Sequence, residues 1–173
     1  MKEIEVKIID IDPKKIKSKL ISMGAKKIFD NNMHVVFFDT KESTFEKTNQ
    51  TFRLRQEADK VIMTYKRKIP SRDAKLMEEL EVDVSNLEDA KRIILALGYK
   101  EVGNMNKRRV SYKIGNVKFE FDKFLGKYNK VPEFLEIEAP DKKTLYKAVK
   151  TLGFSKEDCK AWTGKDVINH YLK

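Results

Sequence analysis

Pairs of glutamates one residue apart recur three times in this chain: Glu3 with Glu5, Glu79 with Glu81, and Glu136 with Glu138. In an extended segment alternate side chains leave one face together. Paired carboxylates on one face are hard oxygen donors of the kind that hold Mg2+ or Mn2+. Basic residues follow the same alternation. Lys7 continues the first acidic pair, Arg53 and Arg55 flank Leu54, Lys66 follows Thr64 and Tyr65, and Lys107 and Arg109 precede Tyr112. Glu120 and Asp122 share a row with Lys118. Arginine and lysine neutralise phosphate oxygens, arginine often with two parallel hydrogen bonds. Acids alone would repel a polyphosphate, and bases alone would bind it without activating it. Together with a metal they point to polyphosphate chemistry.

The elements that carry these rows repeat as well. MKEIEVKI aligns with MEELEVDV, and LEIEA gives a third, partial copy. Each of these strands leads into an amphipathic helical stretch ending in Met23-Gly24-Ala25, Leu97-Gly98-Tyr99 or Leu152-Gly153-Phe154, where glycine is the expected helix stop. Asp12-Pro13, Ser85-Asn86 and Pro140-Asp141 mark the helix starts. The pattern implies an ancient internal duplication rather than a solenoid. Further strands are expected at Val35–Asp39, Thr51–Gln56, Val61–Lys68, Lys107–Lys113 and Asn116–Lys123. A polar loop is expected over Ile69–Lys75 and a short helix in the tail, Lys156–Lys173. Seven or eight strands with one charged and one apolar row, and three helices needing an apolar surface, leave two arrangements open. The charged rows face bulk water on a plain antiparallel sheet, or they line the inside of a barrel whose outside is packed by helices. The near-complete ionisation of the rows and their threefold repetition favour the barrel.

Composition narrows the function classes. The chain has 173 residues, 37 basic against 27 acidic, and a net charge of +10, which favours anionic partners. The single cysteine, Cys159, excludes an internal disulfide and a cysteine-based zinc site and suits a reducing cytoplasm. Two histidines, His34 and His170, argue against a two-histidine metal centre. No signal peptide or long apolar run is present, so a cytoplasmic protein off the membrane is expected. A non-catalytic polyanion or nucleic-acid binder is the alternative reading. It is disfavoured because the aromatics lie on the apolar rows and not among the basic residues as stacking platforms. A third reading is a structural domain whose charges are merely solvated.

Taken in order, Glu3-x-Glu5-x-Lys7, Arg53-Leu54-Arg55, Thr64-Tyr65-Lys66, Glu79-x-Glu81, Lys107-x-Arg109-x-x-Tyr112, Asp122 and Phe134-Leu135-Glu136-Ile137-Glu138 resemble the CYTH family. These are the triphosphate tunnel metalloenzymes, which include class IV adenylyl cyclases and thiamine triphosphatases. The likeness runs from residue 3 to about 153 and is loose in the tail, residues 156–173; one domain over 1–173 is expected. The resemblance implies an α+β fold with an eight-stranded antiparallel barrel, a tunnel through it, and helices outside. It implies Mg2+ or Mn2+ on Glu3, Glu5, Asp122, Glu136 and Glu138. It implies triphosphate contacts from Lys7, Arg53, Arg55, Lys66, Lys107 and Arg109, with Glu79 and Glu81 on the opposite wall. Lys7 is the candidate catalytic group, as a helper of water activation or a phosphate clamp. The implied substrate is ATP, thiamine triphosphate or tripolyphosphate, in a monomer or homodimer. The sequence departs from cyclase-like members where Val35 and Phe37 stand in place of an Asp and a Tyr, and where Met77 stands in place of a basic residue.

Overall fold

The alternating rows close the sheet on itself. The computed structural model describes residues 2–70 and 75–172, with side chains from residue 4 onward. In chain order its elements are β1 (Lys2–Ile8), α1 (Pro13–Ser22), β2 (Lys26–Asp39), α2 (Thr44–Lys47), β3 (Gln50–Glu57), β4 (Lys60–Ile69) and β5 (Lys75–Val84). Then follow α3 (Leu87–Ala96), β6 (Lys100–Ile114), β7 (Val117–Phe124), β8 (Phe134–Ala139), α4 (Lys142–Leu152) and α5 (Gly164–Tyr171). The strands form a closed antiparallel barrel in the order β1-β5-β4-β3-β2-β6-β7-β8. The three Glu-x-Glu strands are therefore immediate neighbours, with β1 between β5 and β8.

The helices begin and end as their residues dictate. Asp12, Asn86 and Asp141 each accept a hydrogen bond from a first-turn backbone N–H of α1, α3 and α4, and Thr163 with Asp166 forms a reciprocal cap on α5. Gly24, Gly98 and Gly153 all adopt the left-handed backbone that a chain needs to turn away from a helix. Ile16 and Leu20 of α1 and Leu145, Val149 and Leu152 of α4 pack on the outward apolar rows of β1, β7 and β8. Each fully buried leucine or valine there is worth about 1.5–3 kcal/mol. Ile94 of α3 covers Val36, Phe38 and Leu54 on β2 and β3. The tail helix α5 seats Val167 and Ile168 on Phe124 and Phe134, which prolong the lumen rows of β7 and β8, so the tail covers that end of the barrel.

Three elements differ from expectation. β2 and β6 run much further than the apolar segments that announced them, as a long ribbon pairing Lys26–Asp39 with Lys100–Lys113 through two register shifts. Within this ribbon His34 Nδ1 lies 2.7 Å from Asn106 Oδ1 across β2 and β6. Of the expected polar loop, Ile69 and Lys75 are strand residues, and residues 71–74 lie outside the described residues.

Much of the excess positive charge lies on two helices outside the barrel. α1 and α4 carry four lysines each and no acid, nearly matching the +10 of the whole chain.

Candidate active site

Register decides which charges meet. Glu5 pairs with Glu138 across β1 and β8 and with Lys75 across β1 and β5, while Lys7 pairs with Glu136. Lys7 Nζ sits between Glu5 Oε1 at 3.1 Å and Glu136 Oε2 at 2.9 Å. Lys75 Nζ reaches Glu5 Oε1 at 2.7 Å. Lys118 Nζ meets Glu138 Oε1 at 3.1 Å. The next strands continue the network: Arg109 donates to Asp122 through Nε at 2.6 Å and Nη2 at 2.7 Å, contacts Glu120, and comes within 3.7 Å of Glu136. Lys107 Nζ donates to Asp122 Oδ2 at 2.6 Å.

The facing wall is built by β3, β4 and β5. Lys66 Nζ donates to Glu79 Oε2 at 2.7 Å. Glu81 accepts from Thr64 Oγ1 at 3.0 Å and from Arg55 Nη2 at 3.2 Å. Arg53 Nη2 stands 3.9 Å from Glu79. Among the described residues two buried side-chain donors have no hydrogen-bond acceptor, Arg53 Nε and Arg55 Nε. Arg55 Nε lies 2.7 Å from Glu57 Oε1, so charge contact exists there without an aligned hydrogen bond; Arg53 Nε lacks even that. A buried N–H left unmade costs about 1–3 kcal/mol, and the two neighbouring guanidinium Nε groups can turn to an incoming oxyanion.

Burial and neighbours set the protonation of this network. Burial opposes the charge on Lys7, yet Glu136 and Glu5 outweigh it and its ammonium is held above the usual range. Burial would raise Glu136, but Lys7 and Arg109 dominate and hold it well below the usual range. Asp122 is likewise lowered, Arg109 and Lys107 overcoming burial. Lys107, desolvated and beside Arg109, is pushed down to about 8. Burial, with Arg55 adding to it, lowers Arg53.

Of the residues singled out from sequence, Glu5, Lys7, Arg53, Arg55, Lys66, Glu79, Glu81, Lys107, Arg109, Asp122, Glu136 and Glu138 share the lumen face of their strands. The backbone of Glu3 pairs with Met77; its side chain lies outside the described residues. Sequence reasoning missed Lys75, which fell in the segment taken for a loop, and gave no role to Glu120, Lys118, Thr64 or Glu57. Glu120 and Lys118 carried a signal, since they share the alternating row of Asp122. Val35 and Phe37 face the lumen too, in register with Arg55 and Arg53, so the wall beside the arginines is apolar.

Glu5, Glu136 and Glu138 offer oxygen donors only, which suits a hard divalent cation. Their charges are held by Lys7, Lys75 and Lys118, and no three acidic, histidine or cysteine side chains converge as a ready-made shell among the described residues. A cation bound here displaces ammonium groups rather than filling a preformed cage.

An antiparallel barrel closed around opposed acids and bases is the architecture of an ion-lined tunnel. The chain belongs to the CYTH domain family, whose model matches residues 1–159. It is 30% identical, over 80% of its length and 77% of the relative's, to a Methanocaldococcus jannaschii protein named "Putative adenylate cyclase". It superimposes with a TM-score of 0.80 on a Pyrococcus horikoshii OT3 protein of known structure, 29% identical, covering 96% of this chain and 99% of that one. A Hippeastrum protein whose structure is described as that of a "Putative adenylyl cyclase" with a dominant triphosphatase activity shares the fold. Its TM-score is 0.65 at 14% identity, over 98% of this chain and 95% of that one. Among the described residues no helix is long and apolar enough to cross a membrane.

Proposed function

We propose that the tunnel is the active site of a divalent-metal-dependent enzyme acting on triphosphates, with hydrolysis of the terminal phosphoryl group as its principal reaction. The observation that carries this reading is the buried Arg53 Nε, which among the described residues has neither a hydrogen-bond acceptor nor a carboxylate against it, beside Arg55, whose Nε meets Glu57 without an aligned hydrogen bond. In a merely structural ionic core buried donors are nearly always matched. Arg53, Arg55 and Lys66 bind the phosphate chain from one wall, and Lys107 and Arg109 from another. Glu3, Glu5, Asp122, Glu136 and Glu138 hold Mg2+ or Mn2+. When bound, the metal draws charge from the phosphate oxygens and eases departure of the leaving group.

Lys7, fixed between two carboxylates, acts as a cationic clamp that orients the transferring phosphoryl group. Glu79 and Glu81 position Lys66 and Arg55. In hydrolysis, a water oxygen bonds to the γ-phosphorus as its bond to the bridging oxygen breaks, giving phosphate and a diphosphate. Thiamine triphosphate and tripolyphosphate are the candidate substrates. Cyclisation of ATP to cyclic AMP and diphosphate is the second reading, supported by the Methanocaldococcus jannaschii relative's name. The apolar Val35 and Phe37 beside the arginines favour hydrolysis, because they offer no polar group to a ribose.

The test is incubation of the pure chain with Mg2+ or Mn2+ and, in turn, tripolyphosphate, thiamine triphosphate and ATP, followed by phosphate release and chromatography for cyclic AMP. Phosphate from tripolyphosphate or thiamine triphosphate is expected. Cyclic AMP as the main product favours the second reading, and no product from any substrate overturns both.

A further inference from the structure

Resting on the triphosphate reading above, we propose that Lys75 changes partner during binding. It holds Glu5 until a divalent cation takes that carboxylate, and then passes to a phosphate oxygen of the ligand, so that cation and polyphosphate bind cooperatively. Register sets Lys75 of β5 directly opposite Glu5 of β1. Lys75 Nζ lies 2.7 Å from Glu5 Oε1, and Lys7 Nζ lies 3.1 Å from the same oxygen. Two ammonium groups thus crowd one carboxylate oxygen inside the barrel, where the side chains of Glu5 and Lys75 are only 6% and 14% exposed. Like charges this close repel each other, and the carboxylate between them is what offsets the repulsion.

The two lysines are not equivalent. Lys7 has a second carboxylate, Glu136 Oε2 at 2.9 Å. Lys75 has no other ion pair among the described residues. The other carboxylates of the tunnel are engaged: Glu136 by Lys7 and Arg109, Glu138 by Lys118, and Glu79 by Lys66. The next residue on the lumen row of β5 is Met77, which is buried and offers no oxygen. A divalent cation on Glu5 sets two further positive charges against both ammonium groups. Lys7 still has Glu136, whereas Lys75 loses its counter-charge, and a buried ammonium left alone is costly. A phosphate oxygen supplies the missing charge. Lysine carries a compact charge on a flexible stem, so it can turn from one anion to another without moving its strand. The cation frees Lys75 for the phosphate, and the phosphate gives Lys75 a place to go. That is a positive coupling between two ligands, and it is reciprocal.

The experiment uses the full chain, Mn2+ and diimidotriphosphate, a tripolyphosphate analogue whose bridging oxygens are replaced by NH groups that resist cleavage. Binding of Mn2+ alone is followed by loss of the spin-resonance signal of the free ion, and binding of the analogue at saturating Mn2+ by calorimetry. Lys75→Met keeps the length of the side chain and removes its charge; Glu5 keeps Lys7, and thermal unfolding checks that each variant is folded. Lys75→Met is expected to bind Mn2+ alone at least about tenfold more tightly than wild type, and the analogue with Mn2+ at least about tenfold more weakly. Lys75→Gln repeats the test with a polar head, and Lys75→Arg, which keeps the charge, moves both constants back toward wild type. Both constants within about twofold of wild type, or both weakened together as a structural role would have it, overturn the exchange of partners. So does a change confined to one ligand, which makes Lys75 a plain phosphate contact or a mere occupant of Glu5. A wild type that binds neither Mn2+ nor the analogue overturns the triphosphate reading itself, and this inference with it.

Discussion

Arg53 is the residue that best separates a binding tunnel from an ionic core. Its Nε is buried without an acceptor and its one carboxylate contact is loose at 3.9 Å, so it adds little to the fold and is available to a ligand. Arg53→Leu is expected to leave the melting temperature unchanged or higher and to raise KM for tripolyphosphate at least about tenfold. Glu136 is the opposite case. It is shared by Lys7 at 2.9 Å and Arg109 at 3.7 Å, and removing one partner of a buried ion pair strands the other. Glu136→Gln is expected to cost about 3 kcal/mol in denaturant unfolding and to lower kcat by about a hundredfold or more. An Arg53→Leu that loses stability but keeps full activity, or a fully active Glu136→Gln, would reverse these roles. Both residues were visible in the sequence by alternation alone. The unmatched donor was not, because its environment depends on the register between β3, β4 and β5.

Among the elements, the junction of β2 and α2 rests on one buried carboxylate. Asp39 accepts from the backbone N–H groups of Thr40, Phe45 and Glu46 at 2.7, 2.9 and 3.0 Å. Burial raises its pKa, and those three hydrogen bonds outweigh it, so the folded value lies below the ordinary 3.8. Its contribution is therefore complete above the unfolded value and is lost as pH falls through the folded one. The melting-temperature gap between wild type and Asp39→Asn is expected to be widest near neutrality and to close in acid; a gap that widens on acidification contradicts this assignment. At the other end of the chain, Thr163→Ala removes the cap of α5 and is expected to cost about 1 kcal/mol, seen in thermal unfolding. The strand faces and the major helices could be read from periodicity, caps and the repeated glycines, since these are local signals. α2, with four residues, is too short to carry helical periodicity. The outer half of β2 is nearly all exposed and has no burial pattern to announce it. Lys75 was lost because its place opposite Glu5 is fixed by a strand seventy residues earlier, not by its neighbours.

At the scale of the whole molecule, the +10 charge does not by itself say which surface carries it. The lumen opposes acids and bases in near-equal number, and the surplus rides on α1 and α4. Lys14, Lys15, Lys143 and Lys147 are exposed on those helices. Changing all four to glutamate is expected to abolish salt-sensitive adhesion to heparin or nucleic acid while leaving kcat on tripolyphosphate within about twofold; a collapse of kcat would mean that the field of the helices helps to load the tunnel. The closing strand carries a consequence of another kind. β1 is made first, yet it pairs with residues 75–78 on one side and 135–139 on the other. During synthesis β1 must wait, unpaired on one edge, until β8 has left the ribosome. Nascent chains arrested before β8 should therefore be cut by protease near their beginning, and chaperone demand should fall only once that last staple emerges.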